Sequence, residues 1–153
     1  MIRTLSLVLL CASAPLRLSA QSDLGAIATA AASAWQRHAF GEFVSEGRIQ
    51  VTLPGGAPST PVAADQAQAL LQSYVRGAVE VEVTVANSSL VGEEAAYVEL
   101  SRRFRSEGSQ EVRTETILLA YHRIRPQTPP QNGLTPSSGG GWVLTEVRAL
   151  GGG

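Results

Sequence analysis

Residues 95–125 read AAYVELSRRFRSEGSQEVRTETILLAYHRIR, and this stretch decides the fold. Apolar and polar side chains alternate along Ala95–Arg105 and again along Glu111–Arg125, which is typical of β-strands with one buried face. The segment Ser106–Gln110 between them contains glycine and small polar residues, so it predicts a turn. The stretch therefore predicts a long antiparallel hairpin.

The register of this hairpin determines which side chains are buried. If Ser106–Gln110 is the whole turn, Arg105 lies opposite Glu111 and Phe104 lies opposite Val112. The face that we expect helices to cover then carries Ala96, Val98, Leu100, Arg102, Phe104, Val112, Thr114, Thr116, Leu118, His122 and Ile124. The opposite face carries mainly charged residues, with an apolar end formed by Tyr97, Ile117, Leu119 and Tyr121.

Two helices are predicted before the hairpin. Apolar residues recur at steps of three and four between Asp23, which would cap the first helix, and Glu46. A second helix begins near Asp65, which forms a capping-box pattern with Gln68, and Gly77 ends it.

Three further strands accompany the hairpin. Arg48–Leu53 alternates as a short strand and is followed by a loop from Pro54 to Ala64. Valines alternate with polar residues over residues 79–85, which predicts a strand with one face in water. Trp142–Leu150 is the last predicted strand.

The order of these elements predicts one α+β domain over residues 21–150. Its N-terminal helices pack on a curved, mostly antiparallel sheet of four to five strands. Residues 126–141 are rich in Pro, Gly, Ser and Thr, so we expect a flexible loop there, and residues 151–153 form a glycine tail.

The first twenty residues have the pattern of a signal peptide. Arg3 precedes an apolar run too short to span a bilayer permanently, and Ala20 supplies a small residue for cleavage. A cut after Ala20 predicts export to the periplasm or beyond, without stable membrane insertion, and removes Cys11, the only cysteine. Lipid attachment at Cys11 is the alternative, although the preceding Leu10 is larger than the residue normal at that position.

Composition excludes several functional classes. Arginine supplies all 12 basic residues against 13 acidic ones, and the net charge of −1 gives no basic surface for nucleic acid. The histidines His38 and His122 have no carboxylate at metal-ligand spacing, so we expect no metal site and no cofactor.

The order helix, strand, helix and four strands resembles the nuclear-transport-factor-2-like superfamily, which includes SnoaL-like and ketosteroid-isomerase-like proteins with a cystatin-like α+β cone. Residues 43–55, a strand ending in Leu-Pro-Gly, and the Gln-Ala helix over residues 66–75 carry this resemblance. The chain is most similar to an exported bacterial family of unknown function within that superfamily. The resemblance implies helices packed into a curved sheet, with functions that range from acid–base catalysis to ligand binding and dimerisation.

Arg102 is the most informative candidate for chemistry. An arginine on an apolar strand face must reach water, pair with an acid such as Glu42 or Glu46, or bind an anionic ligand. His122 lies on the same predicted face and would accept a proton while Arg102 polarises a substrate oxygen. The residues expected to line the interior and bind a ligand are Trp35, His38, Tyr74, Arg102, Thr114, Thr116 and His122.

Two hypotheses of function follow. The first is a non-catalytic module that binds a small apolar, amphipathic or anionic ligand or forms a homodimer. An interaction module of this kind predicts a filled cone. The second is an isomerase- or dehydratase-like enzyme, which needs His122 and Arg102 in one closed pocket. The expected dimer interface is the exposed patch of Tyr97, Ile117, Leu119 and Tyr121, unless residues 126–141 fold across it.

Overall fold

The computed structural model describes residues 15–124 and 141–152. Within these ranges, α1 spans Pro15–Gln36, a 3-10 turn spans Phe40–Glu42 and α2 spans Ala64–Tyr74. The strands are β1 (Arg48–Thr52), β2 (Val62–Ala63), β3 (Ala78–Val91), β4 (Ala95–Ser106), β5 (Arg113–Arg123) and β6 (Trp142–Leu150).

The strands form one open, curved sheet in the order β2-β1-β6-β5-β4-β3. Neighbouring strands run antiparallel except β1 and β6, which run parallel. Both helices pack on the inner face of the sheet, and the apolar core lies between them. The predicted α+β architecture is confirmed, with one strand more than expected because residues 62–63, predicted as loop, pair with β1.

The hairpin of β4 and β5 forms, but its predicted register is wrong by one residue. Val98 lies opposite Leu119 rather than Leu118, and the same shift holds along the whole ladder. The β4 side chains keep their predicted faces, and Leu100 is fully buried. Every side chain of β5 therefore points to the face opposite the predicted one.

The connection between the two strands differs from the predicted five-residue turn. Ser109 donates its backbone N–H to the carbonyl of Ser106 at 2.9 Å, and Gly108 adopts φ +80°. The β4–β5 ladder begins only where Phe104 faces Arg113, so the connection comprises the eight residues 105–112 instead of the five predicted. This longer connection moves every residue of β5 by one position in the ladder.

The observed register also buries more apolar surface. The side chains that it places under the helices are those of Ile117, Leu119 and Tyr121, in place of Thr116, Leu118, Ala120 and His122. Since full burial of a large apolar side chain contributes about 1.5–3 kcal/mol, this exchange favours the observed pairing.

A β-bulge breaks the predicted alternation of β3. Glu80 and Glu82 lie opposite the consecutive residues Phe104 and Arg103, which leaves Val81 as an extra residue. The valines on either side of Glu80, predicted to be covered, are exposed, whereas the Glu80 side chain faces the helices. A second irregularity follows at residue 86.

The apolar stripe of α1 is confirmed, but the helix ends earlier than predicted. Its buried residues include Leu24, Ala28, Ala31, Ala34 and Trp35. The helix stops at Gln36 because His38 adopts φ +55°, a left-handed conformation through which an α-helix cannot continue.

Both predicted N-caps are wrong, while the predicted helix stop is correct. Asp23 lies inside α1, and the N-cap of α2 is Ala63, whose side chain makes no capping bond. Gln68 donates instead to the carbonyl of Val44 at 2.6 Å, which ties α2 to the segment that follows the 3-10 turn. Gly77 follows α2 at φ +74°, as expected of a residue that ends a helix.

Two sequence predictions concern segments outside the described residues. These are residues 1–14 of the predicted signal peptide and the loop at residues 126–141, of which only Gly141 is described. The last six residues of the predicted signal peptide, up to Ala20, lie within α1. In the described ranges, no helix combines the length and apolar character needed to cross a bilayer.

Candidate functional site

A buried ion cluster lies between the sheet and the helices. The side chains of Arg102, Glu80 and Glu115 are only 1%, 3% and 4% exposed. They come from the adjacent strands β4, β3 and β5, and all three face inward. Charges this deeply buried persist only when they are paired and hydrogen-bonded. These three residues, together with Tyr74, are called the Arg102 cluster below.

Glu80 holds one edge of the guanidinium. Nε of Arg102 donates to Oε1 and Oε2 of Glu80 at 3.0 and 2.9 Å, and Nη2 donates to Oε1 at 2.6 Å. Such charge-assisted, forked contacts are stronger than single neutral hydrogen bonds. The bulge at Val81 makes them possible because it turns Glu80 inward while Glu82 remains at the surface.

Glu115 and Tyr74 complete the cluster on the side of β5. Nη1 of Arg102 donates to Oε2 of Glu115 at 2.8 Å, and the hydroxyl of Tyr74 donates to Oε1 of Glu115. Burial, and then the hydrogen bond to the carboxylate, raise the pKa of Tyr74 above its ordinary value. Tyr74 ends α2, so this contact also fixes that helix to the sheet.

Three aromatic rings surround the guanidinium. Cζ of Arg102 lies 4.0 Å from the ring centroid of Phe104, 5.7 Å from that of Tyr74 and 5.9 Å from that of Trp35. Burial alone would lower the pKa of Arg102. The hydrogen bonds and charges of its two carboxylate partners outweigh this effect and raise the pKa above its ordinary value. Arg102 therefore remains a cation, stabilised by both ion pairing and cation–π contact.

His38 extends the cluster towards the surface. Its Nε2 lies 2.8 Å from Oε1 of Glu80, and its ring stacks on Phe40 with centroids 6.1 Å apart. A carboxylate accepts hydrogen bonds, so in the neutral imidazole Nε2 carries the proton and Nδ1 is left as an acceptor. The φ of +55° at His38 is uncommon for a residue with a Cβ, and such strained conformations concentrate at functional sites.

A groove of about 390 Å³ opens beside His38, between the 3-10 turn and α2. It is called the His38 groove below. Residues that line it include His38, Ala39, Gly41, Asp65, Gln68 and Gln72. The imidazole is 23% exposed, so it joins the buried cluster to this groove.

The structure brings together four of the seven residues predicted to bind a ligand. Trp35, His38, Tyr74 and Arg102 lie in or beside the Arg102 cluster. Thr114, Thr116 and His122 lie on the outer face of the sheet instead, because the hairpin register differs by one residue. The predicted placement of His122 beside Arg102, on which the catalytic pair depended, is therefore wrong.

The predicted exposed patch does not form either. Ile117, Leu119 and Tyr121 are buried in the core, and only Tyr97, at 47% exposure, remains on the outer face. The cause is the same register shift, which exchanges the faces of β5 but not those of β4.

The predicted partners of Arg102 are also corrected. Glu42 forms a surface ion pair with Arg37 at 2.7 Å, and Glu46 is exposed. This pairing lowers the pKa of Glu42, chiefly through its hydrogen bond to the guanidinium. Neither carboxylate reaches the interior.

Sequence reasoning missed Glu80 and Glu115 as functional residues. The position of Glu115 could have been recognised from the sequence. It lies two and four positions before Ile117 and Leu119, so the three side chains share one face of β5. The position of Glu80 could not be recognised in this way, because its side chain points inward only as a result of the bulge at Val81.

The chemistry available to the Arg102 cluster is limited by its own pairing. The guanidinium already donates to both carboxylates, so an anionic ligand would have to displace one of them. Residues 15–124 and 141–152 contain no group of three or more His, Cys, Asp and Glu side chains placed to hold a metal ion. The arrangement is suited to holding the interior together.

Comparison with known proteins identifies the fold. The sequence matches no protein-family model and no curated protein. A DUF4783 family protein from Bacteroides ovatus superposes with a TM-score of 0.59 at 12% identity, covering 80% of this chain and 92% of that one. A ketosteroid isomerase-like protein from Erwinia carotovora atroseptica superposes with a TM-score of 0.61 at 12% identity, covering 85% and 94%. An NTF2-like protein of unknown function from Pseudomonas putida gives 0.59 at 11% identity, covering 87% of each chain.

At these identities the likeness concerns the fold and not the activity. It confirms the resemblance drawn from the order of elements and from residues 43–55 and 66–75. The chain has the nuclear-transport-factor-2-like fold.

Proposed function

We propose that this chain is an exported, non-catalytic domain that acts through binding and pairs with a second copy through the outer face of its sheet. The observation that carries the proposal is the buried, mutually paired Arg102 cluster. Arg102 and its two carboxylate partners lie paired with one another between the sheet and the helices, where the enzyme hypothesis places its substrate.

The pairing within the interior argues against a substrate there. An anion that bound Arg102 would replace Glu80 or Glu115 and leave a buried carboxylate unpaired. Breaking a buried pair in this way costs about 3–5 kcal/mol. The enzyme hypothesis also lacks its proposed base, since His122 is exposed on the opposite face.

The outer face of the sheet offers a surface for self-association. Tyr97 lies opposite Ala120 in the ladder, and Leu118 lies beside Ala120 on β5, opposite Arg148. Exposed apolar side chains continue this stripe at either end, at Val91 and Leu150. Glu99, Glu146 and Arg148 lie among them and supply both signs of charge. A mixed surface of this kind suits a two-fold symmetric contact, in which each apolar or charged group meets its complement.

Light scattering coupled to size exclusion tests the dimer. We expect the protein to elute with twice the mass of one chain, and Tyr97→Arg to elute as a monomer with an unchanged circular dichroism spectrum. Leu70→Arg is the matched control, because Leu70 is also an exposed apolar residue but lies on α2. A wild-type protein that is monomeric at high micromolar concentration would contradict the proposal.

Export is tested separately. Arg3, the apolar run after it and the small residue Ala20 support cleavage before Gln21. Mass spectrometry of protein recovered from the periplasm of a bacterial host should give an amino terminus at Gln21. Recovery of periplasmic protein that retains Met1 would overturn this part of the proposal.

A further inference from the structure

The His38 groove is a small-molecule-sized depression on the helix side of the molecule. Its volume of about 390 Å³ falls within the range of small-ligand sites. It lies away from the outer face of the sheet, so its use does not depend on the dimer proposed above.

The imidazole of His38 is held in place from behind. Glu80 takes the Nε2 hydrogen bond, and Glu80 is itself fixed by three contacts from Arg102. Among residues 15–124 and 141–152, Nδ1 of His38 has no hydrogen-bond partner. In the neutral imidazole, Nδ1 is therefore a lone-pair acceptor on a ring that lines the groove and is held in a fixed orientation.

Gln68 supplies a second acceptor. Its Nε2 is engaged by the carbonyl of Val44 at 2.6 Å, and its Oε1 lies on the side of Gly41. One N–H of the amide is engaged by the backbone, which fixes the orientation of the amide, and the oxygen is available to the groove as an acceptor.

Asp65 supplies a carboxylate in the first turn of α2, where negative charge also suits the helix dipole. Within the described part of the chain it has no ion-pair partner, and no arginine lines the groove. The lining is thus rich in acceptors and carries negative charge.

We propose that the His38 groove binds a small organic cation, an amine or a guanidine. Ammonium and guanidinium groups carry only donors, so they complement Nδ1 of His38, Oε1 of Gln68 and the carboxylate of Asp65. Anions would meet the Asp65 charge, and a neutral polyol would leave that charge without a counter-ion.

The imidazole resonances of the protein provide the test. The chain has two histidines, and His122 on the outer face serves as an internal control. Titration with putrescine should shift the His38 resonances saturably and leave those of His122 unchanged. Butanediol, the neutral counterpart of similar length, should produce no saturable shift.

Asp65→Asn should weaken putrescine binding by about tenfold, as expected for the loss of one charge-assisted contact. Asp23→Asn is the matched control. It removes the charge of the other aspartate of the chain, which lies on α1 and outside the groove, and it should leave the affinity for putrescine unchanged. Equal responses to putrescine and butanediol, an absent His38 response, or unchanged affinity in Asp65→Asn would each overturn the proposal. Since Tyr97→Arg affects only the outer face, failure of the dimer and failure of this site give separate results.

Discussion

Glu80 accepts three hydrogen-bond contacts from Arg102, although the two residues are not partners in the ladder. Arg102 lies opposite Val83, and Glu80 lies opposite Phe104. The guanidinium therefore passes diagonally across the inner face, over the ring of Phe104. The extra residue Val81 gives Glu80 the orientation that this diagonal pair requires.

Arg102→Met should destabilise the protein by about 3–5 kcal/mol, because it leaves Glu80 and Glu115 as buried carboxylates without a cation. Urea denaturation measures the loss. Arg103→Met is the control: this neighbouring arginine faces outward and forms an exposed pair with Glu82 at 3.4 Å. Its removal should change the free energy of unfolding by less than about 1 kcal/mol. Equal effects of the two substitutions would show that the cluster does not stabilise the fold.

Leu119→Ala and Leu118→Ala distinguish the two hairpin registers. Leu119 is fully buried, so its truncation should cost about 2–5 kcal/mol, whereas Leu118 on the outer face should cost less than about 1.5 kcal/mol. Both are measured by urea denaturation in the Tyr97→Arg background, where self-association does not contribute. The opposite ranking would restore the register predicted from the five-residue turn.

Alkaline pH should weaken the fold through the buried Tyr121 and the half-buried Tyr74. Burial raises the pKa of Tyr74 and of Tyr121 above the ordinary value of 10.0, and the hydrogen bond to Glu115 raises that of Tyr74 further. The folded protein retains protons that the unfolded chain releases, so this stability is present below about pH 10 and is lost as the pH rises above it.

The comparison is made with phenylalanine variants in urea at about pH 8 and about pH 11. Tyr121→Phe is well suited, because the buried Tyr121 hydroxyl has no hydrogen-bond partner in the described part of the chain. The wild-type protein should lose more stability between the two values than Tyr121→Phe does. Parallel losses in the two proteins would contradict the assignment.

Two glycines should respond in opposite directions to alanine. Gly77 adopts φ +74°, so Gly77→Ala should destabilise the protein by about 1 kcal/mol even though the added Cβ meets open space. Gly25 lies in the middle of α1, also with open space around it, and Gly25→Ala should stabilise by about 0.5–1 kcal/mol. Thermal unfolding of the two variants shows whether each is more or less stable than the wild-type protein. Stabilisation by Gly77→Ala would contradict the left-handed conformation of Gly77 after α2.

Local sequence patterns were sufficient for the fold class. The stripe from Leu24 to Trp35, the inward face of β4 and the helix stop at Gly77 each follow from short-range periodicity or backbone preference. They are correct because the physical cause lies within a few residues. The fold follows from their order along the chain.

The register of β5 could not be read in the same way. The segment Ser106–Gln110 is compatible with a five-residue turn and with the longer connection that forms, in which residues 105–112 lie outside the β4–β5 ladder. Residues 114–122 place apolar side chains on both faces, so the alternation does not choose between the two. The choice depends on contact with the helices and with Arg102, which is long-range.

The sequence was sufficient to identify the central residue of the candidate site, Arg102, but not the carboxylates that pair with it. A buried arginine demands a partner, so Arg102 could be recognised from the strand pattern alone. Its partners depend on the two features that the pattern does not encode, the hairpin register for Glu115 and the bulge for Glu80. His38 was identified as a candidate, but its link to Glu80 depends on the same bulge.

The position of β6 between β1 and β5 has a consequence for assembly. During synthesis, β1 leaves the ribosome long before β6, the strand that connects it to β5. Until β6 (Trp142–Leu150) follows, the ladder partner of β1 is the two-residue strand β2. The amino-terminal and hairpin portions can therefore join through backbone hydrogen bonds only in a closing step of high contact order. A chain interrupted before residue 142 would hold its two halves together by side-chain contacts alone.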